Sequence, residues 1–323
     1  MTAPTLEEHL TAEDRRALLE HDARTGLTAP QKQLSPIWFY DERGSALFDE
    51  ITRLPEYYQT RAERGLLEAA AAEIVEGSEA DTLVELGSGT SEKTRVLLDA
   101  LVQRGPARYV ALDVDPDTLV AAAQALTEEY DGLRVHAVAG DFMRHLDRLP
   151  TGGRRLVAFL GGTVGNLVPA ERHRFFTDLH RGLTPDDRFL VGVDLVKDPA
   201  RLQAAYDDAA GVTAEFNRNA LRVLDRELDA DFDPEAFDHV ARWDPDERWI
   251  EMRLRARSTQ EVRIEALDLG VHFDEGEDVL TEISAKFRPD GIAAELGDAG
   301  FDVERTWQAG VDDFLLVLAR PHR

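Results

Sequence analysis

The sequence predicts an α/β protein: a doubly wound, mostly parallel seven-stranded sheet interrupted by an inserted α+β second domain. Three observations carry this expectation. Between Asp81 and Asp194, short β-branched runs alternate with longer helical patterns, the rhythm of a parallel sheet. After Asp194 that rhythm stops, and the stretch up to about Ala285 reads as two helical patterns followed by alternating strands. The remaining residues restore a helix and a terminal pair of strands, the pieces the first sheet still lacks. The expected division is therefore 1–60 as the N-terminal part of the second domain or a lid, 61–196 as the sheet domain, 197–285 as the insertion, and 286–323 as the completion of the sheet.

In order, the parallel strands are TLVEL, RYVALD, RVHAV, RLVAFL and RFLVGVD. Asp115-Pro116 opens a helix after the second strand, with Asp as N-cap and Pro at the first helical position. Pro169 opens another, with Phe176, Leu179 and Leu183 on one face. In the insertion, helical patterns run through ARLQAAYDDAAG and TAEFNRNALRVLDREL. The strands RWIEMRLRAR and EVRIEALDL follow, and their alternation beside the turn-prone WDPDER points to an antiparallel sheet. Last come the helix PDGIAAELGDAG with its glycine stop and the strands FDVERTW and DDFLLVLAR. They are close enough in sequence to pair antiparallel.

Composition narrows the function classes. The 323 residues include 37 Lys+Arg against 63 Asp+Glu, a formal net charge of −26. A surface this acidic repels phosphate backbones and anionic lipid, so neither nucleic acid nor a membrane is an expected partner. Cysteine is absent, which excludes disulfides, zinc–thiolate sites and thiol catalysis. The charged N-terminus lacks the apolar core of a signal peptide, and no apolar run reaches transmembrane length. The expectation is a cytoplasmic, monomeric enzyme acting on a small molecule.

The strongest local motif is LVELGSGTSEKT, residues 83–94. A strand ending in Gly87-Ser88-Gly89 and feeding a helix lets backbone N–H groups approach a ligand. Both the dinucleotide fingerprint and the P-loop, started at Gly87, require glycine at 92, where this chain has Glu92. A carboxylate there opposes phosphates. A nucleoside cofactor with a zwitterionic amino-acid end fits better, with Glu85 and Lys93 placed to meet its two charges; a solvated first-turn lysine is the plainer alternative for Lys93. Asp113, ending the second strand, can accept both ribose hydroxyl hydrogens. Asp141 and Phe142, ending the third, can meet an adenine amino group and ring, although a turn Asp and a core Phe are individually commoner. After the fourth strand, FLGGTVGNLVP keeps the backbone close to a ligand through Gly161, Gly162 and Gly165. Asn166 there is either a ligand amide or a helix cap before Pro169.

At this point LPEYYQTRAE, LVELGSGTSEKTRVLLDAL, FLGGTVGNL, YDDAAGVTAEFNRN and LTEISAKF together resemble the histidine-specific Nα-methyltransferases of ergothioneine biosynthesis, from about residue 20 to the C-terminus. The resemblance implies a Rossmann-like class I methyltransferase domain joined to a family-specific domain. It also implies S-adenosylmethionine as methyl donor, no metal, and conversion of L-histidine to its trimethylammonium betaine, hercynine. Carried over by motif, Gly87, Lys93, Asp113, Asp141 and Phe142 would meet the methyl donor. Tyr57, Asn166, Tyr206, Met252, Glu282 and Ser284 would meet the amino acid, with Tyr40 as a neighbour and with Asn166 and Tyr206 aligning the reacting amine. Taken without the resemblance, Tyr57 and Tyr206 read as ordinary surface aromatics, Glu282 as an exposed strand carboxylate and Met252 as core. A relative acting on a tryptophan derivative, or a non-catalytic sensor of the methyl donor, would share the cofactor motifs.

Overall fold

The computed structural model describes residues 4–310 and 313–322. In chain order the first elements are β1 (Thr5–Glu8), α1 (Ala12–Leu27), α2 (Glu42–Ile51), α3 (Tyr58–Ser78), β2 (Thr82–Leu86), α4 (Arg95–Val102) and β3 (Ala107–Asp113). Next come α5 (Pro116–Glu129), β4 (Leu133–Ala139), β5 (Arg155–Phe159), α6 (Pro169–Gly182), β6 (Arg188–Asp194), α7 (Pro199–Ala204) and α8 (Val212–Leu228). The chain ends with β7 (Phe237–Asp244), β8 (Trp249–Ala256), β9 (Gln260–Ile264), β10 (Leu269–Phe273), β11 (Asp278–Ala285), α9 (Pro289–Asp298), β12 (Phe301–Ala309) and β13 (Phe314–Pro321). Among the described residues no helix is long and apolar enough to cross a membrane.

Packing divides the chain into two units. The first comprises Met1–Leu10, Gln59–Val196 and Lys286–Arg323. Its sheet has eight strands in the order β1-β4-β3-β2-β5-β6-β13-β12. The strands from β1 to β6 pair in parallel, while β13 is antiparallel to both β6 and β12. Central strands β2 and β5 are buried at every residue, which explains their apolar runs: helices cover both faces of a parallel sheet. Asp115 caps α5 as expected, its carboxylate accepting from Asp117 N and Thr118 N, with Pro116 at the first helical position.

Two expectations need correction here. The sheet has eight strands rather than seven, because Thr5–Glu8 pairs with β4 from His136 to Ala139. The opening segment up to Leu10 accordingly belongs to the sheet unit, not to the second domain. All four β1 residues are exposed and two are glutamates, so this edge strand is held by backbone pairing and carries no hydrophobic pattern. The last strand was expected to begin at Asp312, which lies outside the described residues; β13 runs from Phe314.

The second unit, Thr11–Tyr58 with Lys197–Ala285, holds α1, α2, α7, α8, the antiparallel sheet β11-β8-β7 and the hairpin β9-β10. Phe216, Ala220, Leu224 and Leu228 recur every four residues along α8 and are all buried in this unit's core. WDPDER forms the turn between β7 and β8. The first helical pattern of the insertion stops at Ala204, short of the expected length. In the turn that follows, the Asp208 carboxylate accepts from Thr213 N (2.7 Å) and Val212 N (3.0 Å) and so starts α8.

Candidate active site

In the sheet unit, the expected cofactor residues collect at the carboxyl ends of β2, β3 and β4. This is where open α/β sheets bind ligands. Gly87 and Gly89 have φ of +70° and +49°, a backbone that side chains with a Cβ rarely adopt. A Cβ built on either would meet no atom within 4 Å, so the turn leaves space beside its backbone. Gly87 N is anchored on Leu112 O at 2.8 Å. Gly89 N donates to Asp113 Oδ2 at 2.8 Å and Asp115 N to Oδ1 at 3.1 Å. Burial nevertheless raises the Asp113 carboxyl above its ordinary value, against those two backbone bonds. Glu92 is exposed beside Arg95, 3.5 Å away.

Asp141 Oδ1 accepts from Met143 N at 2.7 Å, which fixes the turn after β4. The half-buried ring of Phe142 lies 4.9 Å from Phe159 and 5.8 Å from Phe175 in edge contacts. Asn166 ends a short 3-10 turn, Thr163–Asn166, and is half-buried. The cap of α6 is Val168 instead, its N–H donating to Glu171 Oε2 at 3.2 Å, so the capping alternative for Asn166 falls.

One charge behaves differently from expectation, and a second loses its plainer alternative. Glu85 does not reach outward: it is 4 % exposed and accepts hydrogen bonds from the hydroxyls of Thr94 and Tyr109. Tyr109 is in turn 2.9 Å from Ser91 Oγ. Burial raises the Glu85 carboxyl to about 7 against these hydrogen bonds. A carboxyl inside a fully buried strand has to find such partners. Lys93 is not a solvated lysine but an ion-pair partner of Glu63. Glu63 is fully buried, and its two oxygens also accept from Gly161 N at 2.8 and 3.0 Å. A Cβ at Gly192 would lie 2.2 Å from Glu63 Oε1, so that glycine makes room for the carboxylate. Sequence reasoning passed over Glu63, although TRAE sits in a quoted motif; a lone helical Glu carries no sign of burial.

In the second unit, five of the expected substrate residues are buried, at 2–8 % exposure: Tyr57, Tyr206, Met252, Glu282 and Ser284. Their readings as surface aromatics and an exposed strand carboxylate therefore fall. Tyr206 Oη and Ser284 Oγ are hydrogen-bonded at 2.7 Å, and the Tyr57 ring meets Tyr206 edge-on with centroids 6.3 Å apart. Glu282 and Ser284 are two apart on β11, and Met252 on β8 is the register partner of Glu282, so all three share a sheet face. Tyr40 packs edge-on against Phe48 and Phe216.

A buried network supports this face. Asn217 on α8 donates from Nδ2 to His239 Nδ1 (2.8 Å) and Arg253 O (3.1 Å), while its Oδ1 accepts from Thr281 Oγ1 at 2.6 Å. His239 donates from Nε2 to the carbonyl of Tyr206 at 2.7 Å. These roles assign the proton to Nε2 and leave Nδ1 as an acceptor. Burial depresses the His239 pKa further, so the ring is a neutral brace for the Tyr206 backbone. Asn219 similarly ties α8 to Phe39 O and Asp41 Oδ1, at 3.0 and 2.8 Å. FNRN thus serves architecture, a role its polarity alone did not disclose.

Comparison with known proteins identifies the family. A family model described as histidine-specific methyltransferase, SAM-dependent, matches residues 19–321. A histidine N-alpha-methyltransferase of Mycobacterium tuberculosis is 55% identical over 312 residues, covering 96% of this chain and 97% of that one. Its namesake from Mycolicibacterium smegmatis is 54% identical, covering 98% of each chain. Ergothioneine biosynthesis protein 1 of Neurospora crassa is 34% identical over 220 residues, 64% of this chain and 25% of that protein. On this match the chain belongs to the histidine-specific, S-adenosylmethionine-dependent methyltransferases.

Proposed function

We propose that the chain trimethylates the α-amino group of L-histidine to hercynine, with the cofactor held by the sheet unit and the amino acid by the second. The carrying observation is the face of β11 and β8. Glu282 and Ser284 stand two residues apart and buried, with the Tyr206 hydroxyl on Ser284. A buried carboxylate and a hydroxyl are what an imidazole, with a polar nitrogen at each edge, requires of a binding surface.

The sheet unit fits the methyl donor. Gly87 and Gly89 leave open space beside their backbone, Asp113 is oriented for ribose hydroxyls, and Asp141 with Phe142 stands ready for an adenine edge and face. Lys93, tethered to Glu63, is the cation for a carboxylate. The bound donor supplies an electrophilic sulfonium methyl group.

The chain's own task is alignment. Tyr206 holds the amino-acid head, and Glu282 with Ser284 holds the ring. Such positioning contributes up to ~7–11 kcal/mol in favourable systems. The amine must be uncharged in each of three rounds. His239 is committed to Tyr206 O and Asn217 and so does not serve as the base; the proton leaves through the Tyr206 hydroxyl or solvent.

Incubation of the protein with the methyl donor and a mixture of free amino acids, read by mass spectrometry, tests this. Three successive methyl additions confined to histidine are expected. Equal methylation of tryptophan would move the assignment to the tryptophan-directed alternative. Binding without any turnover would leave a sensor of the methyl donor.

A further inference from the structure

Gln59 is 4 % exposed, and neither its Oε1 nor its Nε2 has a hydrogen-bond partner among the described residues. Buried polar atoms are costly to leave unmatched, so such a side chain calls for an explanation in binding. Its position in the sheet unit supplies one. Glu63, one helical turn further along α3, meets Gly161 N just beyond the carboxyl end of β5. At the far end of α3, Glu79 pairs with Arg154, immediately before β5 begins. Helix α3 therefore runs antiparallel to β5. Gln59 shares a helix face with Glu63 and lies about 6 Å further along the axis, past the carboxyl end of the strand. The neighbouring strand β2 ends in a second orphan, the buried Ser88 Oγ of the glycine turn.

We infer that Gln59 is a ligand-binding residue whose carboxamide holds the zwitterionic α-amino-carboxylate head of a bound small molecule. A carboxamide presents a donor and an acceptor side by side, the complement of a carboxylate beside an ammonium. On the face of α3 that carries Gln59, the next charge is Glu63, and its pairing with Lys93 leaves no net charge there, which suits a zwitterion better than a net anion or cation. The inference rests on the methyltransferase reading, in which two ligands carry such a head: the methionine end of the cofactor and the histidine substrate.

Calorimetry on wild type, Gln59→Leu and Gln59→Met with three probes tests it. The probes are S-adenosylhomocysteine, 5′-methylthioadenosine, which lacks the amino-acid head, and histidine added to the homocysteine complex. At least about tenfold weaker binding of a head-bearing probe is expected, with methylthioadenosine unchanged. A loss confined to S-adenosylhomocysteine assigns Gln59 to the cofactor, and one confined to histidine assigns it to the substrate. A loss for both supports the shared chemistry. Melting temperatures of both variants should equal or exceed that of wild type, since removing unmatched polar atoms relieves their burial cost. Undiminished binding of both heads, equal loss of methylthioadenosine, or a large fall in melting temperature in both variants overturns the role of Gln59. A wild type that binds none of the probes overturns the methyltransferase reading with it.

Discussion

In the proposed reading, Asp113 and Glu282 are single carboxylates that divide the work. Asp113 is oriented by two backbone N–H groups at 2.8 and 3.1 Å, so its position depends on the loop and not on its own rotamer. Losing hydrogen bonds to a charged acceptor costs ~1.5–3 kcal/mol each. Asp113→Ala should weaken S-adenosylhomocysteine binding at least about tenfold in a folded protein. An unchanged dissociation constant by calorimetry would show that Asp113 serves only the loop. On the proposed reading Glu282, 8 % exposed, serves selectivity by accepting from an imidazole N–H that an analogue lacks. Glu282→Ala should lower kcat/KM for histidine by at least about tenfold and narrow the preference over tryptophan. Competition assays in which that ratio stays the same would remove Glu282 from side-chain recognition.

At the level of elements, β2 shows why a motif's polar residues cannot all be read as ligands. Every residue of TLVEL is buried, so Glu85 is held by Thr94 and Tyr109 beneath the glycine turn. Its carboxyl, raised by burial to about 7 from an ordinary 4.5, binds its proton more tightly in the folded state. The stabilisation linked to that proton is complete below about 4.5 and is lost as pH rises through about 7. Glu85→Gln removes the charge and keeps the shape. The melting temperature of the variant relative to wild type should therefore climb between pH 5 and 8. A difference independent of pH would mean that Glu85 does not titrate in this range. Strand β1 makes the complementary point. Its four exposed residues carry no alternation, and a strand recruited mainly through its backbone has no signature to read.

Across the whole molecule, 63 acidic residues against 37 basic ones leave a net charge of −26. Among the described residues, the large apolar side chains that stand exposed are Leu6 and Val168. Stable self-association needs a sizeable complementary surface, which isolated apolar side chains do not make. Sedimentation at micromolar concentration should give a single species near the chain mass of 36.0 kDa. A concentration-dependent dimer would contradict this.

Sequence by itself determined the parallel sheet, the insertion, the terminal antiparallel pair and the glycine turn. Each rests on a local signal: hydrophobic period, cap chemistry, or a backbone conformation open to glycine. The Pro-opened helices at Pro116 and Pro169 were legible for the same reason. Family motifs pointed to Tyr57, Tyr206 and Glu282, but their types alone suggested surface residues, and burial came only with packing. Tertiary structure decided the partners of the buried charges. Glu63 meets Lys93 and Gly161 from 30 and 98 residues away, and Asn217 meets Thr281 from 64. No window of sequence contains such pairs. A buried polar group takes whatever partner the fold brings within about 3 Å, and that choice belongs to three dimensions.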